Sequence, residues 1–141
     1  MKKNIKGNSN FPKDPLVLLR AGLGMVFILA GLHRIIFFEI AYDNFIDLGL
    51  KPANLLVIIT IIIELASGTL LILNRFILQS SLTLLALLVV GIVAALNKAG
   101  ENVVQNINEI FMVTATPTDI VLHISYVVGL LTLLLYYKNK N

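Results

Sequence analysis

Glu64 stands near the middle of the apolar run from Ala53 to Leu73, which also holds Thr60, Ser67 and Thr69. Arg20, His33 and Arg34 lie in a second apolar run, and His123 lies in a third. An ionisable side chain deep in hydrocarbon costs at least ~2.5–3.5 kcal/mol, so it must be paired, neutral or engaged in chemistry. Glu64 and Arg20 are the first candidates. Arg20 is displaced from the middle of its run by about six residues, an axial offset of roughly 9 Å. Two long side chains reaching toward each other close much of that gap, so the spacing predicts an Arg20–Glu64 contact. Two uses are open. The pair can serve only to fix helix registry, or the carboxyl can exchange protons beside a quinone or a substrate cavity.

A second set of candidates gathers at one depth. Arg20, Gly24, Phe27, Gly31 and Arg34 recur at steps of four and three residues and form one stripe of a helix. The glycines in that stripe allow a neighbouring helix to come close. Arg34, at the far end of the stripe, can line a site or snorkel to the headgroups; His33 projects roughly 100° away from it. Asp119, His123 and Tyr126 share a face of the last run, with Asp119 one turn ahead of His123. Asn97 ends the preceding run at a similar level. A cavity lined by Arg34, Asn97, Asp119, His123 and Tyr126 is therefore expected toward the outer leaflet, with His123 as a proton-exchanging group. The alternative is that these side chains only wet the headgroup boundary. His33 and His123 at matched depth invite a haem b or metal reading, but no third ligand stands at metal spacing, and no metal site is expected.

These residues need elements to position them, and composition says which. Of 141 residues, 57% are hydrophobic and 13% charged. A soluble domain carries about 25% charged residues, so this chain cannot clothe a globule against water. Disordered, disulfide-stapled and free cytosolic classes are excluded, and the lipid bilayer is the expected partner. Cysteine is absent, which removes disulfides, thiolate metal sites and thiol redox relays. No nucleotide loop, hydrolase elbow or metalloprotease helix occurs, nor any basic stripe for nucleic acid.

A span needs roughly 20 mainly apolar residues. Four stretches qualify, at about 16–38, 53–73, 76–96 and 120–137, predicting an all-α, four-transmembrane-helix antiparallel bundle. Pro15, Pro52 and Pro117 precede spans, where a missing N–H costs little. Asn74-Arg75 is a two-residue polar break that folds the second and third spans into a tight hairpin. Lys2, Lys3, Lys6 and Lys13 precede the first span, Arg75 lies in the hairpin and Lys138 and Lys140 end the chain. The two long connections are acidic, through Glu39, Asp43 and Asp47 in one and Glu101, Glu109 and Asp119 in the other. The positive-inside rule then places both termini in the cytoplasm. A cleaved signal peptide would use Ala30-Gly31, but the apolar run continues past it and its removal would break the charge alternation. Residues 1–15 and 138–141 read as cytoplasmic tails. Val103, Val104, Ile107, Ile110 and Phe111 suggest a short amphipathic surface helix, and 114–119 a turn that caps the fourth span.

The run from Leu18 to Ile35, with its Arg20 opening, small–apolar stretch and Gly31-Leu32-His33-Arg34 ending, resembles the first span of DoxX-like membrane proteins. The stretch Glu64-Leu65-Ala66-Ser67-Gly68-Thr69-Leu70-Leu71-Ile72-Leu73 is similar to the family's mid-span glutamate followed by glycine and leucines. Arg34 stands where lysine is common in the family. The resemblance implies a small inner-membrane bundle. For some relatives it implies a place in respiratory or thiosulfate-to-quinone electron transfer. Its positional carry-over is Arg20 and Glu64, with Gly31 and Arg34 behind them. The function expected is a subunit of, or accessory to, a membrane oxidoreductase linked to the quinone pool. No intrinsic cofactor is expected, quinone is the exchangeable one, and other oxidoreductase subunits would hold the redox centre. The alternative is a non-enzymatic membrane protein, either a small-molecule carrier or an assembly factor.

Overall fold

The computed structural model describes residues 14–100 and 117–139, and within them the side chains other than those of 95–100 and 117–121. Among these residues five helices follow in chain order: α1 (Val17–Ile36), α2 (Phe38–Asp47), α3 (Ala53–Ile72), α4 (Ile77–Gly100) and α5 (Pro117–Lys138). No strand occurs among the described residues. Helices α1, α3 and α4 each contain a stretch long and apolar enough to cross a membrane, and Leu122–Lys138 of α5 is a shorter apolar helix.

The distribution of side chains explains why these helices assemble. On α1 the buried face holds Arg20, Leu23, Gly24, Phe27 and Gly31. The opposite stripe of Leu18, Met25, Leu29, Leu32 and Ile36 is exposed. On α3, Thr60, Glu64 and Ser67 are buried while Leu55, Ile58, Ile59 and Ile62 face outward. Water would reverse that arrangement. Lipid tolerates it, because the helices satisfy their own backbone groups and the polar side chains find partners inside. The chain is an all-α, multi-pass membrane protein.

Helices α1, α3, α4 and α5 pack in a ring, with α1 on α3, α3 on α4, α4 on α5 and α5 back on α1. The end where α1 begins is the near end, shared by the α3–α4 turn and the end of α5. The far end holds α2. Leu23, Phe27, Leu71, Leu84, Leu130 and Leu133 form the core between the ends. The α3–α4 turn closes as a Schellman motif, with Arg75 N–H donating to Leu70 O at 3.0 Å and Asn74 N–H to Leu71 O at 3.3 Å. Asn74 takes the left-handed conformation this requires, φ 59°, a role asparagine tolerates well. Gly49, φ 72°, ends α2 in the same way.

Four boundaries differ from the sequence expectation. The first connection is not a plain loop but contains α2, which packs Phe38, Ala41 and Phe45 against Val57, Ile61 and Leu65 of α3. The chain turns at Phe37 (φ −113°, ψ 51°), so α1 ends at Ile36 and not at 38. Helix α4 runs on to Gly100, past 96. Helix α5 starts at Pro117, so the last residues of the expected turn are helical, with proline at the first helical position where it lacks only an orphan donor. The expected amphipathic helix over 103–111 lies outside the described residues.

Candidate functional site

The Arg20–Gly24–Phe27–Gly31–Arg34 stripe forms the face of α1 that packs on α3. A Cβ on Gly24 would come within 2.7 Å of Gly68 O, and one on Gly68 within 2.7 Å of Gly24 O, so the backbones touch there. One turn on from Phe27, a Cβ on Gly31 would meet Leu65 at 3.0 Å and Glu64 Cβ at 3.4 Å. These contacts set the register of the antiparallel pair. Glu64 lies level with about residue 30 of α1, so Arg34 is about 6 Å away along the axis and Arg20 about 15 Å away.

The ion pairs obey that register, which corrects the expected Arg20–Glu64 contact. Arg34 Nη1 donates to Glu64 Oε1 at 2.6 Å and to Oε2 at 2.5 Å. Glu64 keeps 5% of its side-chain surface and Arg34 keeps 29%. The carboxylate is thus enclosed while the guanidinium reaches the boundary of the bundle. Arg34 does not simply snorkel to headgroups: it holds the carboxylate inside the bundle. Counting depth from the ends of each span could not reveal this, because the glycine contacts, not the span ends, fix how the helices align.

Arg20 has other partners. Its Nη1 donates to Asp14 Oδ2 at 3.2 Å, to Tyr137 Oη at 3.0 Å and to Asn74 Oδ1. Tyr137 Oη in turn donates to Asp14 Oδ2. One buried arginine therefore ties the start of α1, the α3–α4 turn and the end of α5 together. Nothing in the sequence marks Asp14, Asn74 and Tyr137 as partners of Arg20. Asn74 was legible only as a turn residue, and Tyr137 lies at the end of the last apolar run.

The remaining candidates are placed as follows. His123 is half-buried on α5, its ring 6.5 Å from that of Tyr126, which lies 5.9 Å from Phe27. Phe27 against Tyr126, and Gly129 against Leu23, set His123 near the level of Glu64. Asn97 falls in the last turn of α4 and Asp119 in the first turn of α5, but their side chains lie outside the described residues. His33 is exposed, its ring tilted against that of Phe37 with centroids 4.7 Å apart. Among the described residues no three His, Asp or Glu side chains gather as a metal site. An open groove of about 370 Å³ lies between the α2–α3 connection (Leu48–Leu50) and Val89, Val90, Val93 and Ala94 of α4. It carries no ionisable group, unlike the Arg34–Glu64 pair.

The sequence pattern of the DoxX family matches residues 16–97, more than half of the chain. This protein belongs to the DoxX family. No curated protein and no solved structure matches it. The part of this DoxX protein that carries the family pattern includes α1, α2, α3 and most of α4. It takes in both members of the Arg34–Glu64 pair together with Arg20 and Asn74. Tyr126, His123 and Tyr137 fall beyond it.

Proposed function

We propose that this DoxX protein is the membrane-embedded subunit of, or accessory to, an oxidoreductase that exchanges electrons with the quinone pool, and that a quinone headgroup is held at Arg34. The observation that carries this reading is the Arg34–Glu64 pair, an enclosed carboxylate joined to a guanidinium that is partly open at the bundle surface. The donor set fits a quinone. Both bonds to Glu64 leave from Nη1, so the other guanidinium donors lie outside the pair, and a quinone carbonyl is an acceptor that needs such a donor. A quinone, when bound, supplies two-electron chemistry that takes up two protons. Glu64 balances the charge of Arg34 and is placed to hold or release a proton at a carboxylate oxygen. The electrons come from a flavin- or iron–sulfur-bearing partner, since a chain without cysteine offers no thiolate ligands for a cluster.

The same reading puts the bundle in a cell's inner membrane with α5 as its fourth span and both termini in the cytoplasm, and the basic tails and acidic connections support it. A C-terminal reporter active only outside the cytoplasm should stay silent, and one active only inside should respond. The reverse pattern overturns the orientation.

Quinone binding is tested on protein purified in native lipid, with its co-purifying subunits, by native mass spectrometry and extraction of bound quinone. Quinone should be retained above the lipid background and fall at least tenfold in Arg34→Gln. Retention that matches the background, or that Arg34→Gln leaves unchanged, overturns the reading and favours a carrier or assembly role.

A further inference from the structure

We propose that the near end of the bundle is a hydrated vestibule, in which ordered water is bound by Arg20 Nε and the hydroxyls of Ser80 and Ser81. Three observations meet there. Arg20 is 6% exposed, and although Nη1 is fully engaged, Nε is buried with no partner among the described residues. Ser80 and Ser81 are 3% and 0% exposed, and their Oγ atoms likewise have no partner. Three threonine hydroxyls behave differently: Thr69, Thr83 and Thr132 each donate to the carbonyl four residues back, at 2.7–2.9 Å. The two serines have the same option and do not use it.

The three groups share one depth. Arg20 is the fourth residue of α1, and Ser80 and Ser81 are the fourth and fifth of α4, and both helices begin at the near end. Each group thus lies about one turn, roughly 5–6 Å, inside the bundle. Ser81 falls on the face of α4 that carries Ile77, Leu84 and Leu88, and Tyr137, a partner of Arg20, packs against that same cluster.

The chemistry selects water as the ligand. Each buried polar group left without a partner costs about 1–3 kcal/mol, and water bound by two to four polar groups removes that cost. Nε–H can only donate, whereas a serine hydroxyl both donates and accepts, so water can link them in series. Asp14 already balances the charge of Arg20, so no further anion is called for. The vestibule stops at Leu84, which is fully buried, and at Leu23 and Leu130 beside it. This inference does not depend on the quinone reading or on which side of the membrane the near end faces.

A chain without cysteine makes the test clean. Ser80→Cys, Ser81→Cys and Leu84→Cys are each reconstituted in lipid nanodiscs and moved into heavy water, and the single S–H infrared band is followed as it becomes S–D. The two serine-site thiols should exchange at least tenfold faster than the thiol at 84, one turn deeper. If either exchanges no faster than the Leu84→Cys thiol, the vestibule is refuted. Ser81→Ala gives a second measurement that does not require a new thiol to be accommodated. Removal of a hydrated hydroxyl lowers the unfolding midpoint, whereas an unchanged or higher midpoint means that the hydroxyl had no water to lose and overturns the proposal.

Discussion

Arg34→Ala should be among the most damaging substitutions in this protein, and Glu64→Gln should be much milder. Removing one partner of a buried ion pair leaves the other charge stranded and costs about 3–5 kcal/mol, a large share of the 5–15 kcal/mol that holds a typical domain together. Glu64 is the enclosed member, so loss of Arg34 strands it, while Glu64→Gln leaves Arg34 at the bundle surface, where it can reach headgroups. The double variant Arg34→Ala/Glu64→Gln should therefore recover much of the stability lost in Arg34→Ala. Unfolding in detergent, followed for all four members of the cycle, reads the coupling directly. A double variant as unstable as Arg34→Ala alone would show that the arginine acts through packing and not through the carboxylate.

A methyl group on Gly24 should separate α1 from α3. The new Cβ would lie 2.7 Å from Gly68 O and from Ile72 Cγ1, and the carbonyl cannot rotate away without breaking the α3 backbone. Overpacking of this kind costs typically 1–3 kcal/mol, and Gly24→Val should exceed Gly24→Ala. The control is two residues away: nothing lies within 4 Å of a Cβ on Gly22, so Gly22→Ala should be neutral or slightly stabilising through helix propensity. Melting temperatures of the two alanine variants should move in opposite directions or differ by several degrees. Equal behaviour would mean that the α1–α3 contact is looser than the structure has it. The same contact holds the register of Arg34 and Glu64, so on the proposed reading Gly24→Val should also weaken quinone retention.

The parts of this architecture visible in the sequence are those governed by single-helix periodicity. Apolar length gives the helices, and the Arg20–Gly24–Phe27–Gly31–Arg34 spacing gives the face of α1 that meets α3. Asn74-Arg75 marks the hairpin, because a left-handed residue and a polar break are local needs. The partner of Glu64 was not visible. Arg20 and Arg34 lie on the same stripe, and the choice between them depends on how far one helix slides along another, which is fixed by contacts between glycines distant in sequence. Helix α2 is not announced, although Phe38, Ala41 and Phe45 have helical spacing, because its ten residues carry three acidic side chains and read as a connection. The Asp14–Arg20–Asn74–Tyr137 cluster joins three chain segments, and nothing local to any one of them announces the others.

The apolar layer of Leu23, Phe27, Leu71, Leu84 and Leu130 separates the Arg20 cluster from the Arg34–Glu64 pair by about 15 Å. The hydrocarbon of a bilayer is about 30 Å thick. A membrane voltage drops across insulating material, so water admitted to both polar ends would concentrate the drop across this layer, roughly half the usual thickness, and about double the local field. A full elementary charge crossing that layer would then sample nearly the whole ~2.3 kcal/mol per 100 mV. The same leucines would then act as the dielectric of a thin capacitor, and charged groups on either side of them would feel the voltage steeply.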